Sequence, residues 1–185
     1  MEPPHGFDPA RRLVDLVNLF TSHESAPTEA VTAVLSAHGE SADELSTVTE
    51  DDVAALRRAC NRLTAVLAAP DADQAAETIN ALLSEFATRP HLSNHDGHVW
   101  HLHTEDRDAG WGDWLAGSGA LALAQLMSRR GRIAWGVCSS DGCRRYYLDT
   151  GPGSARRYCS PTCATRARVA QHRTRKRRSS GVTRA

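Results

Sequence analysis

The sequence predicts a mainly α N-terminal domain with one small β-hairpin (α+β), followed by a treble-clef-like four-cysteine zinc finger. Three observations carry this expectation. Apolar residues recur at helical spacing through most of the first 128 residues. Four of the 5 cysteines fall in two close pairs, Cys138 with Cys143 and Cys159 with Cys163, and 15 residues separate the pairs. Charge is divided just as sharply: residues 129–185 hold 15 Lys and Arg against 2 acids, a net of +13, while residues 1–128 hold 7 basic and 20 acidic residues, a net of −13. The overall charge of zero is thus two large charges cancelling, as in a basic module for a polyanion joined to an acidic body.

Each element follows from local chemistry. Leu13, Leu16, Val17 and Phe20 recur at helical spacing after Asp8, a capping residue, and Pro9, suited to a first turn, so a first helix ends near Thr21. Thr28 to His38 makes a second helix, with Gly39 as its stop. Thr49-Glu-Asp-Asp opens a third with a cap and acids in the first turn, and it runs to about Ala69, where Pro70-Asp71 breaks it. Asp73 to Ala87 makes a fourth. Val99, His101 and His103 then alternate with Trp100 and Leu102, which predicts two short strands around Asn94 to Gly97. Trp111 to Met127 returns to helix. The resulting plan is an acidic helical domain over 1–128, a linker over 129–137, the finger and its basic helix over 138–178, and a disordered tail over 179–185.

A chain of 185 residues suffices for one core plus a small metal-stapled module. No apolar run approaches the roughly 20 residues that span a bilayer, and the opening Met-Glu-Pro-Pro-His-Gly does not read as a secretory leader, so a cytoplasmic location is expected. In a reducing compartment clustered thiols are ligands more often than disulfides. Cys60 stands apart on an apolar helical pattern and reads as a buried thiol.

Two cysteines a few residues apart supply half of a tetrahedral zinc shell from one tight turn, here through Asp141-Gly142. Tyr146 to Asp149 and Arg156 to Tyr158 then read as a hairpin around Thr150-Gly-Pro-Gly-Ser154, and Ser160 with Pro161 opens a helix that places Cys163 in its first turn. Four thiolates close the shell, so one structural Zn2+ is expected, not a catalytic ion. Past Cys163, Arg166, Arg173 and Arg177 line one helical face, with Arg168, His172 and Arg175 beside it and Lys176 and Arg178 completing the cluster. Phosphates would relieve the repulsion among these charges.

These residues resemble the Cys-Gly-Asn-Arg (CGNR) zinc finger at the C-terminus of predicted bacterial stress-response transcription regulators. Tyr147-Leu-Asp149 matches its strand, Arg156-Arg-Tyr-Cys-Ser160 its next element, and Ala167 to Arg175 its helix; the name motif reads Cys163-Ala-Thr-Arg166, with Gly and Asn replaced. The body is similar to that family's ABATE domain through Asp15-Leu-Val-Asn18, Leu35-Ser-Ala-His-Gly39, Ile79-Asn80 and the hairpin near His91. The resemblance implies a zinc-dependent, DNA-binding transcription regulator using Arg156, Arg157 and the basic helix, with the body as a sensor or dimerisation domain. RNA is the alternative polyanion. A small-molecule effector and a homodimer are the body's candidate partners, with no membrane partner, and Asn18 and Asn80 are its candidate ligand contacts. The histidines from His91 to His103 have no carboxylate at ligand spacing and read as a polar hairpin face. No nucleophile–base pair or phosphate loop supports an enzyme.

Overall fold

Side-chain caps start the helices close to where the sequence places them. In the computed structural model, which describes residues 8–23, 25–87, 91–93, 100–103, 109–151 and 155–181, Asp8 accepts the Arg11 amide at 3.0 Å and Pro9 opens α1 (Pro9–Ser22). Helix α2 (Thr28–Ala37) ends before Gly39, whose φ of 97° suits glycine alone. A one-turn helix not anticipated from the sequence, α3 (Ala42–Leu45), is held by a Ser41–Glu44 capping box. A second box, Thr49 with Asp52, starts α4 (Glu50–Leu67), and Asp71 accepts the Gln74 amide to start α5 (Ala72–Phe86).

Two short strands follow, β1 (His91–Ser93) and β2 (His101–His103), paired antiparallel with Leu92 opposite Leu102. The turn expected at Asn94 to Gly97 lies outside the described residues. Helix α6 (Trp111–Arg130) runs three residues beyond the expected end and stops at Gly131, where φ is 63°. Arg129 and Arg130 complement the C-terminal dipole of this last turn. The stretch expected as a linker is therefore partly helix, and partly strand from Trp135.

The chain divides into two units, Met1–Ala134 and Trp135–Ala185. In the first, α6 packs against α1, α4 and α5. Its small residues allow the approach: a Cβ on Gly119 would lie 3.0 Å from Leu63 Cδ1 and 3.4 Å from Leu13 Cδ2. Leu13, Leu16 and Val17 of α1, Leu56 and Leu63 of α4, Ile79 of α5 and Leu115 and Leu123 of α6 form the core, with Cys60 among them. Burial pushes the Cys60 thiol far above its ordinary range, as expected for an inert core residue.

Arg12 is the unanticipated core residue, at 1% exposure. Its guanidinium pairs with Glu40, donates to Ser118 Oγ at 3.0 Å and lies 3.9 Å from the centre of the Trp114 ring. A charge so deeply buried needs such partners.

The second unit opens with an antiparallel hairpin of β3 (Trp135–Val137) and β4 (Tyr146–Leu148), registered Trp135 to Leu148 and Val137 to Tyr146. This corrects the expected pairing. The partner of Tyr146–Leu148 is the strand before the first cysteine pair; residues 155–158 form no strand. Helix α7 (Pro161–Gly181) completes the unit.

Candidate metal centre and nucleic-acid surface

The β3–β4 hairpin makes its turn out of the first cysteine pair. The Cys138 amide donates to the Arg145 carbonyl at 2.9 Å and the Cys143 amide to the Ser140 carbonyl at 3.0 Å, while Gly142 takes a φ of 72°. Cys138 and Cys143 are thereby presented from one tight loop. The second pair is fixed by a helix start: Ser160 Oγ accepts the Cys163 amide at 3.2 Å, so Cys163 occupies the first turn of α7 as expected.

Between the pairs, one side chain holds three carbonyls. Arg156 donates through Nε to Tyr158 at 2.7 Å, through one terminal nitrogen to Cys159 at 2.6 Å and through the other to Leu148 at 3.4 Å. Its own amide reaches Asp149 Oδ1 at 3.2 Å, and its carbonyl accepts the Tyr147 hydroxyl at 2.6 Å. The Ser139 amide donates to the Arg157 carbonyl at 2.8 Å, which ties the knuckle to the same segment. Burial raises the Tyr147 hydroxyl, with the Asp149 charge adding to it, so Tyr147 stays a donor.

All four ligand sulfurs lie within 4.8 Å of one another. Sγ of Cys159 is 3.7 Å from that of Cys143 and 3.6 Å from that of Cys163. The edge of a zinc–tetrathiolate tetrahedron with bonds of about 2.3 Å is about 3.8 Å, so this donor set fits zinc. Without a cation the thiols cannot all ionise. Cys159 is pushed up to about 12, first by burial and then by its neighbours' hydrogen bonds, while the Ser160 hydroxyl, followed by Cys159, draws Cys163 down to about 7. Zinc supplies the positive charge that lets all four be thiolates, and it builds the finger without leaving a position for substrate. Among the described residues this is the one cluster of three or more His, Cys, Asp or Glu placed to hold a metal. His95 and His98 lie outside those residues.

The basic residues divide into two groups. Arg166, Arg168, His172, Arg173, Arg175 and Lys176 are all exposed on α7, and Arg157 is exposed before it. The side chains of Arg177 and Arg178 lie outside the described set. Arg156, expected with them at the nucleic-acid surface, is instead half-buried and engaged within the finger. Arg144 and Arg145, beside Cys143, are exposed as well. In the body, Asn18 is buried at 4% exposure and Asn80 is exposed on α5, so the two do not share a buried environment.

A helical unit followed by a four-thiolate finger with an exposed basic helix defines a two-part zinc-finger protein. Residues 10–130 match the model of the ABATE family, described as "Putative stress-induced transcription regulator", and residues 135–176 match that of the CGNR zinc finger. The chain belongs to the ABATE family. No curated protein matches it significantly. The two motif departures fall on helix: Ala164 and Thr165 lie in the first turns of α7, where Ala is favoured over Gly by about 1 kcal/mol, and neither is a metal ligand. None of the described helices is long and apolar enough to cross a membrane.

Proposed function

We propose that this protein is a transcription regulator that binds duplex DNA through its zinc-organised basic helix. The observation that carries this is α7, which bears six exposed cationic or imidazole side chains between Arg166 and Lys176 and begins at the metal centre. No acidic residue follows Asp149 in the sequence. Arginine suits both phosphate and guanine through its planar fork. The zinc shell is closed by protein sulfur, so the metal serves the fold and not catalysis, which supports a binding role for the finger. The acidic helical body acts as the sensing or dimerising part, with a small-molecule effector or a second copy of the chain as its input, and the protein works in the cytoplasm.

Selection of bound sequences from a random duplex pool, with structured RNA as competitor, tests this. Enrichment of a duplex motif is expected. If about five phosphates are neutralised, the slope of log affinity against log salt should be about −4 to −5. Preferential recovery of RNA would overturn the DNA assignment and favour an RNA- or ribosome-associated role.

A further inference from the structure

Helix α7 has two unlike faces. At 3.6 residues per turn, Cys163, Ala164, Ala167, Ala170, Gln171 and Thr174 share one side. Cys163 is buried and Ala164 and Ala167 are half-buried, so the first two turns of this side face the finger, while Ala170, Gln171 and Thr174 further along are exposed, with Thr174 Oγ1 donating back to the Ala170 carbonyl at 3.1 Å. The opposite side carries Thr165, Val169, His172 and Lys176, spaced 4, 3 and 4 residues apart and all exposed. Val169, at 44% exposure, is an apolar side chain that the finger leaves in solvent. Arg166 and Arg173 flank this strip on one edge and Arg168 and Arg175 on the other, so the outer face spans an arc of roughly 170°.

We propose that this face enters the major groove of duplex DNA, with Thr165, Val169, His172 and Lys176 toward the base edges and the two arginine rows toward the opposing phosphate strands. The inference rests on the DNA-binding reading and assigns the reading face. Over its first two turns α7 is open to approach only from the outer side, because Cys163, Ala164 and Ala167 are covered by the finger; further along, the outer side is the one flanked by both arginine rows. A helix about 10–12 Å across fits the B-form major groove, about 12 Å wide, whereas the A-form major groove of RNA is too deep and narrow. The chemistry of the strip matches base edges: the methyls of Val169 and Thr165 can meet the thymine methyl, and the Lys176 ammonium and a His172 ring N–H can donate to guanine O6 and N7. Base-edge donors set between phosphate contacts combine readout with positioning.

The test uses the full zinc-loaded chain and a duplex selected from the random pool, with zinc content measured for every variant to confirm a folded finger. Val169→Asn and His172→Ala should each reduce discrimination between the selected and a scrambled duplex by about 5- to 100-fold, while the salt slope falls by less than about 1. Arg168→Gln with Arg175→Gln should reduce the slope by about 2 and largely keep discrimination. Gln171→Ala and Thr174→Ala, exposed on the opposite side of the helix, should do neither. If discrimination follows Gln171 and Thr174, or none of these four residues, the assigned face is wrong even though DNA binding stands. Failure of the unmodified protein to bind duplex, or its capture by structured RNA, removes the underlying reading as well.

Discussion

The first unit buries leucine, valine and isoleucine from five helices, with Leu13, Leu35, Leu56, Leu63, Leu115 and Leu123 all inaccessible, whereas the described residues of the second bury only Trp135, Cys138, Leu148 and Cys163 among their apolar side chains. Two of those four are metal ligands. The body is therefore stabilised mainly by removing apolar surface from water, while the finger has too small a core for that and relies on its metal and on the Arg156 hydrogen bonds. Perturbations that are severe for one unit should leave the other intact.

The largest expected effect is metal removal. Structural zinc contributes about 10–16 kcal/mol in finger peptides, far more than a 51-residue unit with so few buried side chains supplies otherwise. Cys159→Ser should abolish binding of one zinc per chain and unfold the finger while the helical circular dichroism signal of the body persists; metal analysis with a melt of the remaining signal checks this. A folded finger without zinc would break the comparison. Acid should act in the same direction. Metal binding holds the thiolates deprotonated, so the stabilisation is present at neutral pH and lost as pH falls, with apparent zinc affinity dropping about tenfold per pH unit for each thiol that must give up a proton.

Next comes the body's own charged core. Glu40→Gln should leave the Arg12 guanidinium buried beside Trp114 without its carboxylate and destabilise the body by about 3–5 kcal/mol, read as a lower midpoint in urea, with zinc content unchanged. A midpoint shift below about 1 kcal/mol would show that Arg12 is relieved by its remaining partners.

Smaller, and confined to the finger, is Arg156→Lys. Lysine cannot span the three carbonyls held by the guanidinium fork, so zinc affinity measured against a chelator should fall by about 10- to 100-fold. The salt slope of nucleic-acid binding should stay within about 1 of the unmodified protein. A reduced slope with intact zinc affinity would return Arg156 to the binding surface.

The smallest effect on metal belongs to Cys60→Ala. Cys60 is buried on α4 in the first unit and is absent from the sulfur cluster, so zinc content should remain at one ion per chain. Loss of zinc in this variant would show that the four-sulfur shell is misassigned.

Local chemistry by itself determined the helix starts at Asp8 and Thr49, the stops at Gly39 and Pro70, and the four metal ligands, because a cap or a cysteine pair acts over three to five residues and needs no distant partner. The resemblance of the finger and body to known domains was readable for the same reason: its motifs are contiguous. Only the tertiary structure decided the rest. Tyr146–Leu148 could pair with the segment before or after it, and the register Trp135 to Leu148 was selected because the knuckle between Cys138 and Cys143 closes that hairpin directly. Arg156 and Arg157 are adjacent and alike in sequence, yet one donates to three carbonyls and the other is exposed. Arg12 sits one residue before Leu13, and its burial depends on Glu40, Trp114 and Ser118 arriving from distant parts of the chain. Whether a charged or polar side chain meets water, another charge or a carbonyl is set by what packs against it, and helical spacing alone carries no record of that partner.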